Sequence, residues 1–178
     1  AYKQLGSEVI YGVDNLLQRN LVPDLVHLHW PEEAYRWRND LTLEGRAERF
    51  KEAVSHVRAQ GALIAATIHN MAPHEHVNDP LDRGVYQHII SQAHVLHHHC
   101  EHSLTLCRTA YTIPEDARMV VVPHPHFDLY PSGASGPEVR QQLGIPLEAV
   151  VYLQFGNIRG YKGIESLLAC FGRARVPK

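Results

Sequence analysis

The chain has 178 residues, 44% of them hydrophobic, which is enough to bury the core of one domain and part of a second. Its 17 Lys and Arg against 19 Asp and Glu give a net charge of −2, which excludes a general attraction to nucleic acid or anionic membranes. The sequence shows neither an apolar run long enough to span a bilayer nor a secretory leader, so we expect a cytoplasmic protein.

Strand and helix patterns alternate along the chain. The clearest is a helix at 43–60, where hydrophobic residues recur at helical spacing and Gly61 provides a stop. In chain order, the predicted elements are strands at 8–13 and 24–30, the helix at 43–60, a strand at 63–69, a helix at 80–92, a strand at 94–99, a helix at 101–111, a strand at 119–122 and a helix at 137–143.

This alternation predicts an α/β protein made of βαβ units with a parallel sheet. The segment 123–137 is rich in Pro, Gly and Ser and is typical of a linker between domains. We therefore expect one domain over 1–135 and the start of a second over 136–178. Ligands of parallel sheets bind at the carboxyl ends of the strands, so function should lie in the loops there.

A basic loop with several glycines lies near the C-terminus, between a predicted buried strand at 150–155 and a predicted helix at 164–174. The N-terminus of a helix offers unpaired N–H groups and a positive dipole, which favour a bound anion. The loop matches neither the dinucleotide fingerprint nor the P-loop, yet its composition predicts a diphosphate site. The candidate residues are Gly156, Arg159, Lys162 and Gly163.

Polar and aromatic residues collect after three of the predicted strands, in VHLHWPEE, TIHNMAPHEH and VPHPHFD. Because the carboxyl ends of parallel strands meet at one edge of a sheet, we expect one pocket there. Asn, Glu and His bind hydroxyl groups, and an aromatic ring packs on the apolar face of a pyranose, so the pocket suits a carbohydrate or another polyol. The residues expected in it are His29, Trp30, Glu32, His69, Asn70, His74, Glu75 and His124.

The run HHHCEH at 97–102 is the obvious candidate for a metal site. In a strand, however, His97 and His99 share one side while His98 and Cys100 share the other, so four ligands do not gather. We therefore expect no metal at this run. The three cysteines form no CxxC pair, and each is expected to be a small core residue: Cys100, Cys107 and Cys170.

The same segments resemble a known family. DLVHLHWPE, the long helix after it, TIHNMAPHE and VVVPHPHFDLYP are similar to the acceptor-side domain of bacterial GT-B glycosyltransferases that build surface polysaccharides and lipid-linked oligosaccharides. The strand, glycine, Arg and Lys-Gly pair at 150–163 resemble the opening of their donor-binding domain. The likeness covers nearly the whole chain from Asp24 to Gly163. Pro125 departs from the glycine that is usual in the family.

The resemblance implies a Rossmann-like parallel sheet with helices on both faces over 1–135. It also implies a linker and the first strand–helix unit of a nucleotide-sugar-binding domain over 136–178. Family members begin with a further strand and a glycine-rich loop, and they continue through a complete second domain. We therefore expect this chain to be a fragment that is inactive by itself.

The implied activity is transfer of a sugar from a nucleotide-diphosphate sugar to a hydroxyl of a saccharide or lipid-linked saccharide, without a metal cofactor. Arg159, Lys162 and the helix N-terminus would stabilise the leaving diphosphate. His69 is the candidate for contacting the transferred sugar or polarising the acceptor, and Glu32 or Glu75 is the candidate base if the reaction inverts. Peripheral contact with the inner membrane stays open, and we expect no nucleic-acid partner.

Two other functions stay open. A nucleotide-sugar epimerase of the same fold would use the diphosphate site but convert one substrate without an acceptor. A non-catalytic carbohydrate- or nucleotide-binding module would retain half of the site and bind without turnover.

Overall fold

The computed structural model describes residues 5–125 and 133–173. The chain divides into two compact units, Ala1–His124 and Pro125–Lys178, which we call the N-terminal and C-terminal units. This division falls inside the segment 123–137 interpreted as a linker, upstream of the boundary expected near residue 135. Residues 126–132 of that segment lie outside the described residues.

The N-terminal unit is an α/β domain built on a four-stranded, all-parallel sheet with the spatial order β1-β2-β3-β4. Its strands are β1 (Leu25–Leu28), β2 (Leu63–Thr67), β3 (Val95–His98) and β4 (Arg118–Val121). Its helices are α1 (Val13–Leu17), α2 (Leu43–Ala59), α3 (Pro80–Gln92) and α4 (Glu101–Ala110), with a 3-10 turn at Pro31–Ala34. The alternation predicted between residues 24 and 122 is confirmed.

The strand order decides where the connecting helices lie. Each crossover steps to the next strand in the same direction, and right-handed crossovers of this kind leave their helices on one side of the sheet. The core agrees, because Ile64, Ala66 and Leu96 pack in one hydrophobic cluster with residues of α2 and α3. In the described part of the chain the connecting helices therefore cover one face of the sheet, whereas the resemblance implied helices on both.

The sequence explains both ends of α2. The hydroxyl of Thr42 caps the N-terminus by accepting a hydrogen bond from the backbone N–H of Gly45, at 3.1 Å. At the other end Gly61 has a φ of +97°, and the N–H groups of Gly61 and Ala62 donate to carbonyls of the last turn in the Schellman pattern. The predicted stop at Gly61 is confirmed, and four of the hydrophobic residues at helical spacing are buried: Ala47, Phe50, Val54 and Val57.

A buried carboxylate fastens the loop after β1 to α3. Asp82 is completely buried and accepts hydrogen bonds from the hydroxyl of Tyr35 at 2.6 Å and from two nitrogens of Arg36 at 2.8 and 2.6 Å. Arg36 also pairs with Asp79, the residue that caps α3. The hydrogen bonds that Arg36 donates to the carboxylate of Asp82 raise the pKa of Arg36, while burial raises the pKa of Tyr35. Arg36 therefore stays charged and Tyr35 stays neutral at physiological pH.

The C-terminal unit contains α5 (Gly136–Leu143), a 3-10 turn at Gly160–Lys162 and α6 (Ile164–Arg173). Ser135 and Glu138 form a reciprocal capping box at the start of α5. Both helices predicted in this region are confirmed. Across the two described ranges, no helix has the length and hydrophobicity needed to cross a bilayer.

Two predicted strands are wrong. The first, at 8–13, gives way to a turn at Gly12, with a φ of +103°, and to α1. The second, at 150–155, is exposed, with 88% of Phe155 accessible, and among the described residues the sheet contains only β1 to β4. Strand propensity measures how well a side chain fits a half-buried sheet, so a β-branched run forms a strand only where a neighbouring strand is present.

The three cysteines divide between the core and the surface. Cys107 is buried as predicted, and burial raises the pKa of its thiol to about 11. Cys100 and Cys170 are exposed, so for these two the expected core position is wrong. Helical spacing explains the difference on α4, where Leu104 and Cys107 face the core and Cys100 stands before the first turn.

The Asp82 network predicts a large loss of stability when its carboxylate is removed. Asp82→Ala leaves the buried Tyr35 and the partly buried Arg36 without their shared partner, so we expect the free energy of unfolding to fall by about 3–5 kcal/mol. Glu52→Ala, which breaks the exposed pair with Arg19, is the matched control and should cost about 0–1 kcal/mol. Urea unfolding followed by circular dichroism measures both values, and equal losses would contradict the role of the network.

Candidate functional site

Six histidines meet at the carboxyl edge of the sheet, on the face opposite to the connecting helices. They form a continuous chain of ring contacts, with centroid separations between 3.6 and 5.3 Å. All four strands or the loops that follow them contribute. We call this set the histidine cluster: His27, His29, His69, His97, His99 and His124.

The alternation of side chains along a strand explains the cluster. Residues two apart point to the same face, so His27 lies with His29, Thr67 with His69, and His97 with His99. The register aligns Thr67 of β2 with His97 of β3. Polar side chains of neighbouring strands are therefore side by side in two rows that cross the end of the sheet. The inner row is His27, Thr67 and His97, and the outer row is His29, His69 and His99.

The inner row is a continuous chain of hydrogen bonds. His27 Nε2 lies 2.8 Å from the hydroxyl of the buried Thr67, which lies 3.1 Å from His97 Nδ1. His97 Nε2 lies 3.0 Å from the carbonyl oxygen of Val122. Four polar groups from three strands and the loop after β4 therefore satisfy one another under the outer row.

The outer row is more accessible. His29 Nδ1 lies 3.0 Å from His69 Nε2, so one of these two nitrogens donates to the other. A neutral imidazole has one N–H and one lone pair, so this pair presents one further donor and one further acceptor whichever way the bond runs. His124 stacks on His99 at the far end of the row, with 3.6 Å between ring centroids.

Trp30 forms an aromatic wall beside this row. Its indole stacks on the ring of His69, with centroids 4.3 Å apart and planes 6° from parallel, and 37% of the residue is exposed. Its backbone lies in the left-handed region, with a φ of +48°, which is strained for a bulky side chain. Such strain is concentrated at functional sites in proteins.

Burial and mutual crowding keep three rings of the cluster, those of His27, His29 and His69, uncharged. Burial, with the neighbouring imidazoles as a further cause, lowers the pKa of His27 and of His69 from 6.5 to about 4. The same two causes lower the pKa of His29. These three rings are therefore neutral at physiological pH, and each can both donate and accept a hydrogen bond.

Glu32 lies in a different environment from the cluster. Only 6% of the residue is exposed, and its carboxylate accepts a hydrogen bond from the hydroxyl of Tyr86 at 3.1 Å. Burial raises its pKa, against the hydrogen bonds that lower it. The role of Glu32 as a base stays a prediction. Its hydrogen bond with Tyr86 joins the 3-10 turn to α3.

The loop between β2 and α3 holds the other predicted residues. His74 and Glu75 are exposed in it, which suits contact with a ligand. Asn70 is partly buried, and its Nδ2 group has no hydrogen-bond partner in the described part of the chain. A donor in that state is a candidate for binding an acceptor atom of a ligand.

Sequence reasoning missed three members of the cluster: His27, His97 and His99. A signal was present, because two histidines stand two positions apart in both VHLHW and VLHHH. The alternation rule placed His97 and His99 on one side of their strand without linking them to His29 and His69. That link requires the order and register of the strands.

A small cavity lies under Trp30 and His69, between the sheet and α3. Its volume is about 10 Å³, and its walls include Leu28, Ile68 and Ile90. This space fits about one water molecule and has mostly apolar walls. This cavity is therefore too small for a sugar-sized ligand.

The predicted diphosphate loop lies in the C-terminal unit. Gly156 has a φ of +111°, and a Cβ atom built on it would lie 3.3 Å from the ammonium group of Lys162. Gly163, with a φ of +63°, closes the 3-10 turn directly before α6. The two glycines thus let Lys162 fold back over the loop at the N-terminal end of a helix, and Arg159 is partly buried in the same loop.

The density of imidazoles does not by itself create a metal centre. In residues 5–125 and 133–173, no group of three or more His, Cys, Asp or Glu side chains is arranged to hold a metal ion. Several nitrogens are already engaged, since His97 is bonded at both ring nitrogens and His29 is bonded to His69.

The depressed pKa values predict that stability falls in acid. Below pH 6.5 the unfolded chain protonates His27 and His69, whereas the folded chain does not until about pH 4, so the unfolded state binds more protons. We expect the free energy of unfolding to decrease as the pH falls from 6.5 toward 4. Urea unfolding at several pH values measures the slope, which His69→Gln should reduce and His102→Gln, at an exposed site on α4, should not. An unchanged slope in both variants would contradict the prediction.

Comparison of the chain with protein-family models, with curated proteins and with solved structures found no match.

Proposed function

We propose that this chain is the acceptor side and the start of the donor side of a GT-B-fold glycosyltransferase. The reaction is transfer of a sugar from a nucleotide-diphosphate sugar to a hydroxyl of a saccharide or lipid-linked saccharide, in polysaccharide or glycolipid biosynthesis. The cytoplasm supplies such donors. The proposal continues the resemblance of the strand-end segments to that family.

The observation that carries the proposal is the surface formed by the histidine cluster and Trp30. Neutral imidazoles provide donors and acceptors without a fixed charge, which suits the many hydroxyl groups of a sugar. An indole beside them provides a flat apolar surface for a pyranose face. The position at the carboxyl edge of a parallel sheet is the one at which α/β proteins bind ligands.

The loop at 156–163 supports the donor side. A nucleotide-diphosphate leaving group gains negative charge as the glycosidic bond breaks, and fixed cations stabilise that charge more strongly in the transition state. Lys162 is placed against Gly156 and before α6, whose N-terminal N–H groups add to the positive field. Arg159 supplies a second cation from the same loop.

The proposed roles of the acceptor-side residues follow from their surroundings. His69 is neutral, stacked on Trp30 and bonded to His29, so it can bind a sugar hydroxyl without a charge to neutralise. If the reaction inverts, the exposed Glu75 is better placed than the buried Glu32 to take the acceptor's proton. If the reaction retains configuration, the donor phosphate takes that proton instead.

The donor loop provides the direct test. Nucleotide release is measured for a panel of UDP-, GDP- and dTDP-sugars with cell-extract acceptors, using the product of the complete reading frame beside this chain. We expect one donor to be turned over, and the double variant Arg159→Ala, Lys162→Ala to lose about 10²-fold or more, because a transition-state cation is removed. Arg173→Ala, at the opposite end of α6, is the matched control and should retain activity.

If no nucleotide is released from any of these donors, the proposed transferase activity is contradicted. Conversion of a sugar nucleotide without any acceptor would instead identify an epimerase. Turnover that survives the double variant would show that the loop at 156–163 is not the diphosphate site.

A further inference from the structure

The carbonyl oxygen of Val122 fixes the protonation pattern of two histidines. It lies 3.0 Å from His97 Nε2 and 3.1 Å from His99 Nδ1. A carbonyl oxygen only accepts hydrogen bonds, so both of these nitrogens must carry a proton. The carbonyl itself is held in place because the N–H of Val122 donates to the backbone oxygen of His98 at 2.8 Å.

The proton on His97 Nε2 determines the rest of the inner row. In the neutral ring His97 Nδ1 is then a lone pair, and the Thr67 hydroxyl donates its single proton to it. His27 Nε2–H must therefore donate to the oxygen of Thr67. The donor and the acceptor of each of these hydrogen bonds are thereby defined, and His97 has no lone pair left for a ligand.

His99 differs from His97 at this point. Its proton is on Nδ1, so in the neutral ring Nε2 is a lone pair. That atom is buried and has no hydrogen-bond partner in the described ranges. A buried acceptor without a partner is unfavourable in a folded protein, and such atoms recur where a ligand or water completes the arrangement.

The lone pair on Nε2 of His99 determines which kind of group can bind there. An anion is repelled by a lone pair, whereas a hydroxyl group donates to it. A metal ion needs several converging lone pairs, but the lone pair of His97 and one of the two lone pairs of the His29–His69 pair are used, and no group of three ligands is arranged for a metal among the described residues. A hydroxyl donor therefore fits best.

We propose that Nε2 of His99 accepts a hydrogen bond from a hydroxyl group of a bound saccharide, and that His99 is a specificity residue of the acceptor site. The proposal rests on the proposed function only in naming that saccharide as the acceptor. The ring of His124 stacks on His99 and belongs to a loop rather than a strand, so it is the neighbour that moves aside when the hydroxyl enters.

Nitrogen-15 NMR of the histidine rings tests the tautomers and the binding together. In the chain alone, Nδ1 of His99 should give the signal of a protonated nitrogen and Nε2 that of an unprotonated one, with the reverse at His97. Methyl glycosides of glucose, galactose and mannose are then added in turn. A bound glycoside should move the Nε2 signal of His99 and leave that of the exposed His102 unchanged.

The variant His99→Asn separates recognition from folding. The asparagine amide N–H can take the place of Nδ1–H and keep the bond to Val122, but it has no group at the position of Nε2. We expect glycoside binding to weaken about tenfold, the loss of one neutral hydrogen bond. His102→Asn is the control and should bind as the unaltered chain does.

Three results would overturn the proposal: a proton on Nε2 of His99, no response of His99 to any glycoside, or stoichiometric Zn²⁺ that moves its Nε2 signal while the glycosides have no effect. The proposal for His99 and the proposed transferase activity can be tested separately. If His99 responds to a glycoside but no donor is turned over, the inference stands and the chain is a carbohydrate-binding module. If donor turnover is found and the acceptor KM is unchanged in His99→Asn, the transferase stands and the inference fails.

Discussion

The N-terminal unit depends on one constraint, which is that its four strands run parallel and are added to the sheet in the order of the sequence. Each crossover then returns on the same side, so α2, α3 and α4 all pack against one face and share one core. The other face receives the alternate residue of every strand. A single topological rule thus separates the residues that stabilise the fold from those that remain available to a ligand.

The Asp82 network and the histidine cluster lie on opposite faces of the sheet and differ in how they accommodate charge. On the helix side, Asp82 is buried with its charge and is tolerated because Arg36 and Tyr35 bind it directly. On the opposite side, His27 and His69 are uncharged at physiological pH, since burial and mutual proximity lower their pKa values. The Asp82 network fixes the loop after β1. Trp30, in the same loop, stacks on His69 of the histidine cluster.

The two units offer complementary chemistry. The N-terminal unit presents neutral donors and acceptors beside an indole, which is a surface for hydroxyl groups. The C-terminal unit presents Lys162 over a glycine at the start of a helix, which is a surface for phosphate. Transfer of a sugar from a diphosphate to a hydroxyl needs both kinds of surface, and this need is the physical link between the geometry and the proposed reaction. Within the N-terminal unit, the lone pair of His99 extends this chemistry from general affinity for polyols to recognition of one hydroxyl.

The sequence by itself determined the alternating strands and helices between residues 24 and 122 and the edge of the sheet at which the candidate site lies. Helical spacing gave α2 and α3 close to their observed bounds, and the strand-end motifs pointed to His29, Trp30, His69 and His124, because these patterns depend on local geometry. Tertiary structure decided the rest. Among the described residues no strand pairs with the segment 150–155, despite its strand composition, and Glu32 is buried against α3, a distant part of the chain. His27, His97 and His99 joined the site only through the register between strands, since contacts across a sheet join residues that are far apart in sequence and leave no local pattern.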